Sequence, residues 1–249
     1  MKTLLYTISR TDQSDNQPRE IECTGRRINF RIIWYLQYMN AQRKVEWKGS
    51  ILSIQPRTSV WRYGIDNRTH SHIGYNLFFG GLVEGKEGPF SVAISEKQLQ
   101  RGNFHIGDIV QGTAWTKKYP KCEFADYYRA GGLKCIHEAP FESDTIHPPW
   151  KITPPDLHTY EWRGARMLSL SCWRGKCFQC IWANMASVAI EYDWGKSQKW
   201  RFESFCYGPK SCKFYKMGKA RSVPYKDRGS HLDDGGLDEI CTENRGWDD

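Results

Sequence analysis

Between Val45 and Ile136, apolar and polar residues alternate in short runs, each broken by glycine or a polar turn. A period of two is the pattern of strands with one buried face. It predicts strands over VEWKGSILSIQ (45–55), HIGYNLFFGGLV (72–83), GPFSVAIS (88–95), GDIVQGTAWTK (107–117) and EFADYYRAGGLKCI (123–136). Gly49 marks a bend or bulge in the first of these. EKQLQRGNF (96–104) reads as a short helix or turn. Ahead of the strands, Ile28, Ile32, Ile33, Leu36 and Met39 recur at helical spacing. They predict one N-terminal helix over 27–42 within an otherwise polar arm, 1–44. The β-branched and aromatic residues of FRIIWYLQY would also suit a strand there.

Beyond the fifth strand, HEAPFESDTIHPPWKITPPDL carries two Pro-Pro pairs. Proline fixes φ and removes donors, so an extended linker is expected over 138–159. Alternation returns at Val188, Ile190 and Tyr192, and again at Trp200, Phe202 and Ser204, with DWGKSQK as the turn between them. A β-hairpin is therefore predicted inside a module spanning 160–226, with a tail at 227–249.

Five strands over 45–137, glycines at barrel corners, and a short helical insert before a fourth strand entered through HIGDIVQGTAW together resemble the OB-fold. That resemblance implies a small Greek-key barrel. It also implies single-strand binding on the face of strands two and three, between the one–two and four–five loops. The expected protein is mainly β: an OB-like barrel followed by a cysteine-bearing module.

That module contains CWRGKCFQC, and then Cys206 and Cys212 in FCYGPKSC. Two cysteine pairs bracketing a hairpin are similar to a zinc ribbon, with Cys177, Cys180, Cys206 and Cys212 as four thiolate ligands. The second pair is more widely spaced than is usual in such sites. The run Cys172, Cys177, Cys180 also resembles the cluster loop of plant-type [2Fe–2S] ferredoxins, which would replace Cys212 by Cys172. Bulky Trp173, Phe178 and Gln179 depart from that pattern. The ligand set thus has Cys172 as its alternative member, and the cofactor is Zn²⁺ or an iron–sulfur cluster. Cys23, Cys122, Cys135 and Cys241 read as small buried hydrophobes.

Composition sharpens the choice of partner. The chain carries a net charge of +8, with 39% hydrophobic and 26% charged residues. From Trp162 to Lys226 there are 13 basic against 3 acidic side chains, and from Asp227 onward 2 against 8. A basic module with an acidic, solvated tail points to a polyanion, nucleic acid first. Candidate contacts interleave cations with aromatics: Arg57, Trp61, Arg62, Tyr63 and Arg68 in the one–two loop, and Trp115, Lys117 and Lys118 before strand five. Lys199, Trp200 and Arg201 stand at the hairpin tip, and Lys213 and Lys216 follow it. On strand two, Tyr75 and Phe78 face opposite ways, so only one can point outward. No nucleotide-loop, metalloprotease or nucleophile-elbow motif occurs, so no residue is assigned chemistry. The opening apolar run is too short for a secretory leader and no stretch suits a spanning helix, so a cytoplasmic protein with no membrane partner is expected. Two further readings remain open. One is an electron-transferring or redox-sensing iron–sulfur protein; the other is an OB-plus-zinc accessory of acyl-thioester enzymes.

Overall fold

A computed structural model describes residues 42–62, 68–140, 147–191, 198–219 and 234–245. The predicted helix over 27–42 lies outside the described residues, apart from its last position.

Among the described residues the protein is mainly β, with eight strands in one sheet. Strand β1 (Lys44–Arg62) pairs antiparallel with β2 (Arg68–Val83), and β2 with β3 (Lys86–Ile94). Helix α1 (Glu96–Gly102) leads to β4 (Ile109–Thr116), which pairs with β5 (Tyr127–His137) and returns to β1. A parallel pair, Val92 with Tyr127, joins β3 to β5, so the first five strands form a partly closed ring in the order 1-2-3-5-4-1.

Strand β1 is longer than its sequence pattern suggests. It alternates buried and exposed residues from Lys44 to Ile51, then shifts register between Ile51 and Ser53 and again between Arg57 and Thr58. Each irregularity adds twist and bends the strand. Past the second, Ser59–Arg62 stays paired with Arg68–Ser71 of β2 and, on its other edge, pairs in parallel with β7 (Ala183–Glu191) in place of β4. Thus RTSVWR, expected as loop, is strand. Gly49, expected as a bend or bulge, instead pairs in regular register with Gly81 and Val110, and the irregularities fall after it. Glycine is needed there for close packing, because a Cβ would meet the Gly80 carbonyl at 3.0 Å and Phe79 Cβ at 3.2 Å.

The ring core is aromatic. Phe79 stacks on Phe90 at 5.1 Å and Trp47 tilts against Phe79 at 4.8 Å. Ser95 caps α1 in a reciprocal capping box with Gln98, and Leu99 is buried beneath the helix. The proline-rich segment is docked, contrary to the free linker expected. Tyr75 donates to the Pro155 carbonyl at 2.6 Å, Ile181 N–H donates to Trp150, and Leu157 N–H donates to Glu96. It feeds α2 (Leu157–Arg163), whose fully buried Tyr160 donates to the Ile181 carbonyl at 2.9 Å.

The hairpin predicted in the module is present as β7 and β8 (Gln198–Cys206), edged by the short β6 (Arg166–Met167). Its apolar side chains Val188, Ile190 and Phe205 join the ring residues in one core. Ring and hairpin therefore share a strand, a sheet and a core rather than standing as two linked beads. The tail also departs from expectation. Helix α4 (Asp234–Cys241) buries Leu237 and Asp238, and both Asp238 carboxylate oxygens accept from Met167 N–H at 2.8 Å. Buried Arg245 donates to the carbonyls of Arg163, Gly164 and Gly208. No described helix is long and apolar enough to cross a membrane.

Candidate metal centre and an adjoining cleft

Helix α3 (Leu170–Arg174) and a 3₁₀ turn (Lys176–Gln179) carry Cys172 and Cys177 across the outer face of β1. Ser53 and Gln55 hold that turn by donating to the Phe178 carbonyl at 2.5 and 2.7 Å, and Trp173 Nε1 donates to Gln55 at 3.1 Å. Phe78 of β2 packs here with Trp173 and Phe178, while Tyr75 faces the ring core. Neither aromatic is open for base stacking, because the cysteine-bearing loop occupies the face on which an OB-fold would place a strand.

Cys177, Cys180 and Cys206 are buried, and Cys172 and Cys212 half-buried. Cys206 ends β8 opposite Ala183, three residues after Cys180, so strand pairing alone draws the two cysteine pairs together. Cys177 lies in the field of Cys206, Cys172 and Cys212; Cys206 in that of Cys212; and Cys180 in that of Cys206 and Cys177. Burial, reinforced by these neighbours, pushes the Cys177 and Cys180 thiols up to about 12. Burial also raises Cys206, against the opposing pull of Arg166 and the Gly208 N–H. The Trp182 and Trp150 N–H groups likewise favour the Cys180 thiolate. Amide donors aimed at buried sulfurs are what a thiolate ligand requires. The donor chemistry suits a four-thiolate ion. As the side chains stand, however, no three His, Cys, Asp or Glu among the described residues close around one.

Beside this cluster, an open cleft lies between the ring and the β7–β8 hairpin. Arg57 and Tyr128 wall it on the ring side, Ser187 and Trp200 on the hairpin side, and Phe124 at the β4–β5 loop. Arg57 lies 5.6 Å over the Tyr128 ring and donates to the Ile73 carbonyl at 2.8 Å. Its charge has no salt bridge among the described residues, and desolvation lowers its pKa. Arg57 Nε, Asn76 Oδ1 and Ser187 Oγ, all on lining residues, are buried without a hydrogen-bond partner.

The sequence-predicted contacts therefore scatter. Arg57 and Trp200 meet in the cleft. Arg62 does not join them: it is 2% exposed and held to the fully buried Glu203 at 2.7 Å, with Arg201 also bonded to Glu203. Trp61 and Trp115 are half-buried in their strands. Lys117 pairs with Asp126 at 3.3 Å, Lys118 lies over Tyr119 and Lys213 over Phe214. Lys199 and Lys216 are exposed. Tyr63 and the Arg68 side chain lie outside the described residues. Asn76, Phe124, Tyr128 and Ser187 went unnoticed in the sequence, because only strand pairing assembles them.

No family model matches the chain, and neither a curated protein nor a solved structure matches it.

Proposed function

We propose that the chain binds single-stranded or structured nucleic acid along this cleft and its basic rim. A zinc ion on Cys177, Cys180, Cys206 and Cys212 would brace the loops beside it. The observation that carries the reading is Arg57, a desolvated cation that feels Glu123 but makes no salt bridge among the described residues, set among Tyr128, Phe124 and Trp200. An anion with a flat aromatic face answers both features: phosphate meets the guanidinium and a base meets the rings. Lys118, Lys199, Lys213 and Lys216 are exposed to track further phosphates.

The 1-2-3-5-4-1 ring order, with α1 between β3 and β4, supports an OB-like barrel. Cys172 and Cys212 both act on Cys177, Cys172 the more strongly, but of the two only Cys212 acts on Cys206. Cys212 is taken as the fourth ligand, with Cys172 as its alternative. The thiolates would turn inward to close a tetrahedral site, whose role is structural. Metal analysis with an absorption spectrum on anaerobically purified protein tests the centre, and salt-dependent oligonucleotide binding tests the function. Colourless protein with about one zinc per chain is expected. Affinity should fall linearly in log–log form with salt. Visible bands with iron and labile sulfide would replace zinc by a cluster. No oligonucleotide binding at about 50 mM salt would remove the nucleic-acid reading.

A further inference from the structure

We infer that the cleft is a single-nucleotide pocket that takes one unstacked base out of a bound strand and reads its edge. This rests on the nucleic-acid reading above and adds to it where and how one nucleotide is held.

The outer face of β1 and β2 is closed to a strand, because the turn Lys176–Gln179 is fastened to Ser53 and Gln55 and Phe78 is 8% exposed beneath Trp173 and Phe178. A strand crossing the molecule cannot lay successive bases on that face. The cleft is the opening left beside it, a shallow groove in which Arg57, Tyr128, Phe124 and Trp200 line one short stretch of surface rather than an extended track. Trp200, 36% exposed on β8, offers a free aromatic surface on one wall. On the other, Arg57 is already oriented by Tyr128 and the Ile73 carbonyl, with its Nε still unpaired.

The polar atoms are complementary in kind. Asn76 Oδ1 is an acceptor, Arg57 Nε a donor, and Ser187 Oγ can be either. A buried polar group without a partner is costly, so these atoms on the lining residues call for ordered water or for the polar edge of a ligand that displaces it. A nucleobase edge carries amino or imino donors beside carbonyl or ring-nitrogen acceptors, and so can answer all three. Phosphate on the Arg57 guanidinium, the base on Trp200 and its edge toward Asn76 and Ser187 use every feature of the cleft.

The test is fluorescence anisotropy with roughly 15-nucleotide single strands of each base, a length sufficient to cover a binding site of this type. Binding by the wild-type chain is compared with Arg57→Gln, Trp200→Ala, Trp200→Phe and Asn76→Leu. Circular dichroism confirms that each variant folds. Arg57→Gln and Trp200→Ala should each weaken binding about tenfold or more, while Trp200→Phe keeps most of it, as stacking demands. Asn76→Leu should narrow the spread of affinity among the four bases. As a direct probe, a nucleoside monophosphate titrated by calorimetry should bind the wild type and not Arg57→Gln. If strands bind but folded Arg57→Gln and Trp200→Ala stay within about twofold of wild type, the pocket is overturned and the nucleic-acid reading stands. If wild type binds no strand, both fall.

Discussion

His72 shows how much a single residue can set. Both its ring nitrogens are buried without hydrogen-bond partners, and it lies nearly parallel to Tyr160 with centroids 6.0 Å apart. Burial lowers its pKa from 6.5 to about 4. Between those values the unfolded chain binds a proton that the folded chain refuses, so stability rises with pH through that window. Acidification from neutrality to pH 4 should remove on the order of 3 kcal/mol through this group. Urea midpoints across that range test it: His72→Phe, which keeps a ring against Tyr160, should be less sensitive to acid than the wild type. This was not legible in the sequence, since His72 only opens the predicted second strand and the rings that cover it, Tyr160 and Tyr207, lie far along the chain. Arg62 is the same lesson with opposite sign. A cation beside aromatics suggests phosphate contact, but its partner Glu203 is 141 positions away in the chain and no local pattern reveals it.

At the scale of elements, the five ring strands, α1 and the β7–β8 hairpin were legible because alternation and turn residues are local signals. The docked segments were not. An acidic composition describes the final stretch correctly on average and misses that one of its carboxylates, Asp238, is buried against β6 with Tyr215 donating to it. The proline-rich strap is similar: proline forbids sheet but does not forbid packing. Asp238→Ala would leave Met167 N–H without its acceptor, and should cost about 1–3 kcal/mol in urea unfolding. Glu239→Ala, on the exposed side of the same helix, should change nothing measurable. Equal effects from the two would mean that α4 adheres by general charge and not by this bond.

For the whole molecule, the cysteine loop both covers the ring and closes the hairpin ends, so the proposed metal would couple the two halves. Chelation or Cys206→Ser should lower the melting temperature of the ring and hairpin together, in one transition, with loss of bound zinc. Cys172→Ser should keep the metal. Thermal melts alongside metal analysis check both outcomes. Two separate transitions would show that the halves are stabilised independently. The sequence conveyed the thiolate chemistry but not this coupling, which arises because β1 extends beyond the ring.

That extension also sets a timetable for the nascent chain. The ring strands can pair once His137 has been made, but the second edge of Ser59–Arg62 must wait for β7, and Arg62 for Glu203. At about 5–20 residues per second, the roughly 70 residues between His137 and Cys206 take several seconds to appear. Throughout that interval a growing chain holds an open strand edge, with a cation whose buried partner has not yet been synthesised.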